Sequence, residues 1–317
     1  MRKIVALAVL LFAGATLQAD SRWTFHNSFW MSLHQTLIDD ATRSTPRDLS
    51  SSTPEWTPEE RTAWDEAVAE YRTAGGKGDI TFSKPMTATT EAIASVADDA
   101  REAPAAAPVA HALARAAAAY RAHGWASDEK ANRFFIAYAA ALVREEGEEL
   151  VRRHEAVYHA TWPKRIVVYV TPSAGPFGAY TFSGGLGTIT TMASREEGYQ
   201  GFRALEMLLH ESSHAIVYPN RGPVADAIDR AAKAHGVTPP RNLWHAILFA
   251  TSGELTRQLL NDRGVMNFVP SSTEMFARVW PNFRDPIAKF WVPYLNGEGT
   301  LDQAVDKIVV AMTATAR

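Results

Sequence analysis

The stretch AYTFSGGLGTITTM at residues 179–192, followed by FRALEMLLHESSHAIVY at residues 202–218, largely determines how this chain can fold. In the first segment, residues of high β-propensity flank a glycine-rich centre, which predicts two strands joined by a turn or bulge. In the second, Leu205, Leu208 and Leu209 recur at helical spacing, which predicts a helix with one apolar face. We therefore expect a small antiparallel or mixed sheet that precedes this helix.

The rest of the chain is patterned mainly as helix, apart from a further strand at 166–171. This predicts a predominantly helical α+β fold. A helical N-terminal lobe (residues 20–161) and a second region with the sheet (residues 162–317) should form one compact unit. Thr57-Pro58-Glu59-Glu60 has the pattern of a capping box at a helix start. The predicted helices span residues 23–38, 57–73, 89–101, 105–123, 128–159, 202–218, 223–235, 241–261, 271–279 and 300–314.

Composition excludes several classes of function. The 317 residues include no cysteine, which excludes disulfide scaffolds, thiolate zinc fingers, iron–sulfur clusters and cysteine nucleophiles. A metal site must therefore use His, Asp or Glu. The net charge of −3 gives no basic excess for binding phosphates, so we expect no nucleic-acid partner.

The N-terminus has the pattern of a secretory signal peptide. Arg2 and Lys3 precede an apolar run from Ile4 to Ala13, and small and polar residues continue to Ala19. The apolar run is too short to span a bilayer. We expect cleavage after Ala19, with Ala15 as the alternative, and an exported protein, periplasmic or secreted, without a membrane anchor.

The most specific motif is His210-Glu211-Ser212-Ser213-His214 on the predicted helix. Residues four apart share a helix face, so His210 and His214 can bind one metal ion. Glu211 then lies at the flank, where a carboxylate can accept a proton from an activated water. These residues predict a zinc site with hydrolytic chemistry.

This motif resembles the His-Glu-x-x-His signature of the zincin superfamily of metallopeptidases. The resemblance implies that His210 and His214 bind Zn²⁺ and that Glu211 is the general base for a zinc-activated water. It also implies that an edge strand, here around Ser183 to Thr191, aligns a peptide or protein substrate. The first 160 residues are not covered by the resemblance.

The third ligand is not fixed by the motif. Val217 and Asn220 stand where the metzincin extension requires Gly and His, which excludes that subgroup. A gluzincin-like arrangement favours Glu254, because it lies on a largely apolar predicted helix where a charge needs a partner. His245 and Asp226 are alternatives, and an ion pair between Glu254 and Arg257 would be a purely structural role.

Two further questions stay open at this stage. The residue that stabilises a developing oxyanion could be Tyr180, Tyr218, Tyr294 or His245. The chain could also be a non-catalytic exported binding protein with a structural or vestigial zinc site, or a zinc amidohydrolase that acts on non-peptide amides. Sequence does not indicate the oligomeric state.

Overall fold

The computed structural model describes residues 22–44, 55–76 and 79–314. The predicted signal peptide, residues 1–19, lies outside them. Within the described ranges the fold is α+β and predominantly helical, as the sequence predicts. No helix in this part of the chain is long and apolar enough to cross a membrane.

A four-stranded mixed sheet forms the centre of the molecule. Its strands are β1 (Trp23–His26), β2 (Ile166–Thr171), β3 (Ala179–Gly184) and β4 (Gly187–Ala193). Their spatial order is β1-β2-β4-β3, with β1 and β4 parallel to β2, and β3 antiparallel to β4. β3 is therefore an edge strand.

Helices account for most of the remaining described residues. The capping box predicted at Thr57 and Glu60 is present at the start of the second helix. A π-helical turn at Ile287–Trp291 joins the tenth and eleventh helices. The helices are α1 (Phe29–Thr42), α2 (Pro58–Gly75), α3 (Lys84–Ala94), α4 (Ala110–His123), α5 (Trp125–Tyr158), α6 (Phe202–Ser213), α7 (Pro223–His235), α8 (Leu243–Asp262), α9 (Ser271–Arg278), α10 (Pro281–Pro286), α11 (Val292–Leu295) and α12 (Leu301–Ala314).

The sheet separates two apolar cores. Because side chains alternate along a strand, Tyr169 and Ile189 point to one face and Val168 and Met192 to the other. The first pair packs with helices α1 to α4, which we call the α1–α4 layer. The second pair packs with α5, α6, α8 and the C-terminal helices.

The structure corrects the start of the first predicted helix. Trp23 to His26 forms strand β1, which pairs with β2 from Ile166 onward, and α1 begins only after Ser28. Ser28 caps α1 by accepting a hydrogen bond from the Met31 N–H at 3.3 Å. A segment of four residues is too short to show whether its apolar residues recur at helical or at strand spacing. The residues of β2 with which it pairs as a strand lie about 140 residues further along the chain.

Several other helix boundaries differ from prediction. Helix α5 begins at Trp125 rather than at residue 128, and α10 and α11 lie in a segment for which no helix is predicted. The helix predicted at 89–101 spans Lys84–Ala94, because Pro85 lies in its first turn. The one predicted at 105–123 begins at Ala110. The motif helix ends at Ser213, and the following residues wind into tighter turns with hydrogen bonds three residues back.

A buried histidine, His34, connects three helices of the α1–α4 layer through hydrogen bonds. His34 on α1 is fully buried and hydrogen-bonds the Tyr71 hydroxyl at 2.8 Å and the Thr90 hydroxyl at 3.2 Å. Burial lowers the pKa of His34 to about 3. At neutral pH this imidazole is therefore uncharged and joins α1 to α2 and α3.

We predict that His34 makes the protein less stable in acid. Below pH 6.5, the ordinary pKa of histidine, this imidazole is protonated in the unfolded chain. In the folded protein it stays neutral down to about pH 3. The free energy of unfolding should therefore fall in that window, by about 1.4 kcal/mol per pH unit from this group. In urea titrations, H34Q should show a shallower pH dependence by that amount. H111Q, at an exposed position of α4, is the matched control and should keep the wild-type slope.

Candidate metal centre

The site is built by helices α6 and α8, which pack side by side in opposite directions. A Cβ at Gly253 would lie 2.9 Å from the Glu206 carboxylate, and the ring of Phe249 lies 3.8 Å from that of His210. One turn further, the rings of His245 and His214 are 5.1 Å apart. Successive turns of α6 therefore contact successive turns of α8 in reverse order. The last turn of α6 contacts the first turn of α8.

This packing brings three histidines together. The ring centroids of His210, His214 and His245 form a nearly equilateral triangle with sides of 5.1 to 5.2 Å. One nitrogen from each ring lies within 4.8 Å of the other two. Among the described residues, this is the group of metal-ligating side chains that could hold an ion.

One pair of ring nitrogens has the separation expected of two ligands of one metal ion. The Nε2 atoms of His210 and His245 are 3.3 Å apart. Two nitrogens bound at 2.0–2.1 Å to one tetrahedral zinc ion are expected to be about 3.3 Å apart. Imidazole is a common ligand for zinc, copper, nickel and iron, so the donor set suits a transition metal without selecting one of them.

The three imidazoles are held in the form that binds metals. Burial lowers the pKa of His245 to about 4. Burial and the neighbouring His245 lower the pKa of His214 to about 3, and burial moves that of His210 well below its ordinary value. Because all three are neutral at physiological pH, a metal ion need not displace protons to bind.

Aromatic side chains pack around these rings on several sides. Trp244 stacks on His245 with centroids 4.8 Å apart and planes 9° apart, and Trp280 approaches from another side at 5.3 Å. The buried Nδ1 of His210 has no hydrogen-bond partner among the described residues, and its ring packs on Phe249.

Glu211 lies between the two motif histidines and faces the edge strand. Its carboxyl is buried, which raises its pKa to about 8, while the nearby Thr181 hydroxyl on β3 opposes that shift. One carboxyl oxygen, Oε2, has no hydrogen-bond partner in the described structure. This oxygen is thus buried without a compensating hydrogen bond from the described residues.

Glu254 does not join the histidines, which corrects the predicted third ligand. It lies nine residues after His245, about 13 Å along the helix axis, at the level of Glu206 on α6. Its carboxylate accepts hydrogen bonds from Arg257 at 2.5 and 2.8 Å and from Gln258 at 3.0 Å. Glu254 thus has the structural role, and His245 takes the third position of the cluster.

The other candidates are also placed by their contacts. Asp226 is exposed in the first turn of α7 and outside the cluster. The Tyr294 hydroxyl donates to the carbonyl of Val157 at 2.6 Å, and that of Tyr180 is bonded by Gln35 on the opposite face of β3. The Tyr218 hydroxyl lies 3.2 Å from Ser183 on β3, four residues after His214.

Comparison of the chain with protein-family models, with curated proteins and with solved structures gave no match. The resemblance to zincins therefore rests on the motif residues alone and stays a prediction.

The part played by His245 had a weak signal in the sequence. It is the one ionisable side chain in the first three turns of an otherwise apolar and aromatic helix, between Trp244 and Phe249. The sequence alone contains nothing that sets the register of α8 against α6, so Glu254 and His245 could not be distinguished by spacing.

We predict that one metal ion binds per chain and that all three histidines are required. Substitution of His210, His214 or His245 by Ala should each weaken zinc binding by more than the roughly 100-fold typical of losing a supporting contact. Competition with a chromogenic chelator measures this affinity. E254Q is the matched control and should bind zinc like the wild type. Equal weakening by E254Q and H245A would contradict the assignment.

Proposed function

We propose that the protein is an exported, zinc-dependent hydrolase that cleaves peptide bonds. The observation that carries the proposal is the convergence of three neutral imidazoles next to a buried carboxyl group with an unpartnered oxygen. Three protein ligands leave a coordination position open, as is usual for catalytic rather than structural zinc. Export rests on the signal-peptide pattern of the first 19 residues.

Zinc bound by His210, His214 and His245 would polarise the substrate carbonyl and increase the acidity of water. Glu211 is the group that moves protons. It accepts a proton as the water oxygen bonds to the carbonyl carbon, and delivers it to the leaving nitrogen as the carbon–nitrogen bond breaks. Its burial suits this role, because a positive charge at the histidines would favour the carboxylate that burial alone disfavours.

The choice of a peptide as substrate rests on the edge strand. β3 pairs only with β4, so its other edge carries backbone N–H and C=O groups that no strand of the described sheet uses. An extended peptide can add to such an edge through main-chain hydrogen bonds. The strand also contacts the site helix through Thr181, which lies near Glu211, and Ser183 is hydrogen-bonded to Tyr218 just after that helix.

Tyr218 is our candidate for stabilising the oxyanion. Of the tyrosines considered, Tyr180 and Tyr294 have hydroxyl groups held by contacts away from the histidines. The Tyr218 hydroxyl lies at the edge strand, and the Arg221 guanidinium lies 3.7 Å from its ring centroid. A phenol there can donate a hydrogen bond to a substrate oxygen.

We predict that E211Q binds zinc with wild-type affinity but loses turnover. The amide keeps the shape of the carboxyl and cannot accept a proton, so kcat should fall by about 100- to 10,000-fold. Cleavage of a peptide library by the zinc-loaded protein, followed by mass spectrometry, measures activity. E254Q should cleave like the wild type.

Three results would count against this function. Wild-type rates in E211Q would reject the general-base role. Cleavage of small amides without cleavage of any peptide would favour an amidohydrolase. Stoichiometric zinc without any hydrolysis would favour a structural role for the metal.

We predict a smaller effect for Y218F. Loss of one oxyanion donor should lower kcat by about 100-fold while KM and zinc affinity stay near wild type. Y294F removes a tyrosine hydroxyl away from the histidines and serves as the control for kcat. An unchanged kcat in Y218F would show that Tyr218 does not stabilise the oxyanion.

A further inference from the structure

The edge strand β3 has two faces with different partners. Thr181 points to Glu211 on α6, and Ser183 points to Tyr218 in the segment that follows α6. Tyr180 and Phe182 point the opposite way and pack with the α1–α4 layer. Any shift of β3 relative to this layer would therefore also move the two side chains that face the candidate site.

The first contact with the α1–α4 layer is near the start of the strand, at Tyr180. The Gln35 amide on α1 donates a 2.7 Å hydrogen bond to the Tyr180 hydroxyl, and both side chains are buried. Phe82 packs edge-on against the Tyr180 ring with centroids 5.6 Å apart. A buried hydrogen bond of this kind fixes position, because leaving either partner unpaired is costly.

The second contact is at the turn of the β3–β4 hairpin. The Glu91 carboxylate on α3 accepts a 2.7 Å hydrogen bond from the Gly185 N–H in the two-residue loop. A Cβ at Gly184 would lie 1.7 Å from the same carboxylate oxygen, so only glycine allows this approach. A charged acceptor on a backbone N–H is a strong hydrogen bond.

From these contacts we infer that the α1–α4 layer positions the proton-transfer residue Glu211, and that Glu91 and Gln35 are the positioning residues. They hold β3 on the face opposite the candidate site. Thr181 and Ser183 therefore keep their positions next to Glu211 and Tyr218. The effect on turnover rests on the proposed function, whereas the effect on the hairpin does not. The inference gives a role to helices whose purpose the sequence leaves open.

The edge strand needs such support for a physical reason. β3 is paired on one side only and ends in a two-residue loop, so β4 alone would hold it along the sheet. Paired on one edge, a strand has fewer hydrogen bonds to resist local opening than a central strand. Misplacement of a catalytic group by about 1 Å can cost a factor of 100 in rate.

The test compares four variants of the full-length, zinc-loaded protein: E91A, E91Q, E60A and Y180F. E91A removes the acceptor at the hairpin. E91Q keeps an oxygen that can still accept from Gly185 and is the conservative rescue. E60A removes the capping-box carboxylate from α2 in the same layer without touching the hairpin, and so controls for general destabilisation.

We expect E91A to speed amide hydrogen exchange across residues 179–193 by at least tenfold and to lower kcat about tenfold at unchanged zinc affinity. E91Q should restore most of both. E60A should leave exchange in 179–193 and kcat near wild type. Y180F, which removes the acceptor for Gln35 but keeps the ring, should act in the same direction as E91A.

Two results would overturn the inference. One is unchanged exchange in 179–193 in both E91A and Y180F. The other is an equal fall in kcat in E91A and E60A, which would mean that the helices only stabilise the fold. If the wild type cleaves no peptide, the proposed function fails, and hydrogen exchange still decides whether the layer holds the hairpin.

Discussion

The antiparallel contact between α6 and α8 is the constraint on which the rest of the structure depends. Its register sets Gly253 beside Glu206, Phe249 beside His210 and His245 beside His214. A glycine at the first of these levels lets the helices approach while a carboxylate fits between them. A shift of one turn would replace His245 by Phe249 opposite His214 and leave two histidines instead of three.

Distant parts of the chain fix this helix pair through small hydroxyl groups. The indole N–H of Trp23 on β1 donates to Ser212 at 2.9 Å, and that of Trp291 donates to Thr251 at 2.9 Å. His154 on α5 lies 3.4 Å from Ser252. The large rings fill the core, and their N–H groups find partners on α6 and α8, so burial costs no unpaired donor there.

The sequence predicts what is local and leaves out what depends on packing. The helix that carries the histidine motif, the β3–β4 hairpin and the capping box at Thr57 follow from patterns within about 15 residues. Strand β1 and the third histidine do not, since each depends on partners far along the chain. Glu254 looked like a ligand because a charge on an apolar helix needs a partner, and Arg257, one turn away, supplies it.

Two buried carboxyl groups on α6 show how the same burial can have different consequences. Burial raises the pKa of Glu206 to about 7 and that of Glu211 to about 8. Glu206 accepts hydrogen bonds from the backbone and hydroxyl of Ser271, so both of its oxygens are used to hold α9. Glu211 keeps one buried oxygen without a partner in the described structure, which costs stability. The fold thus satisfies the first carboxyl and leaves an oxygen of the second, five residues later, without a partner among the described residues. In the function we propose, this second carboxyl is the one that transfers protons.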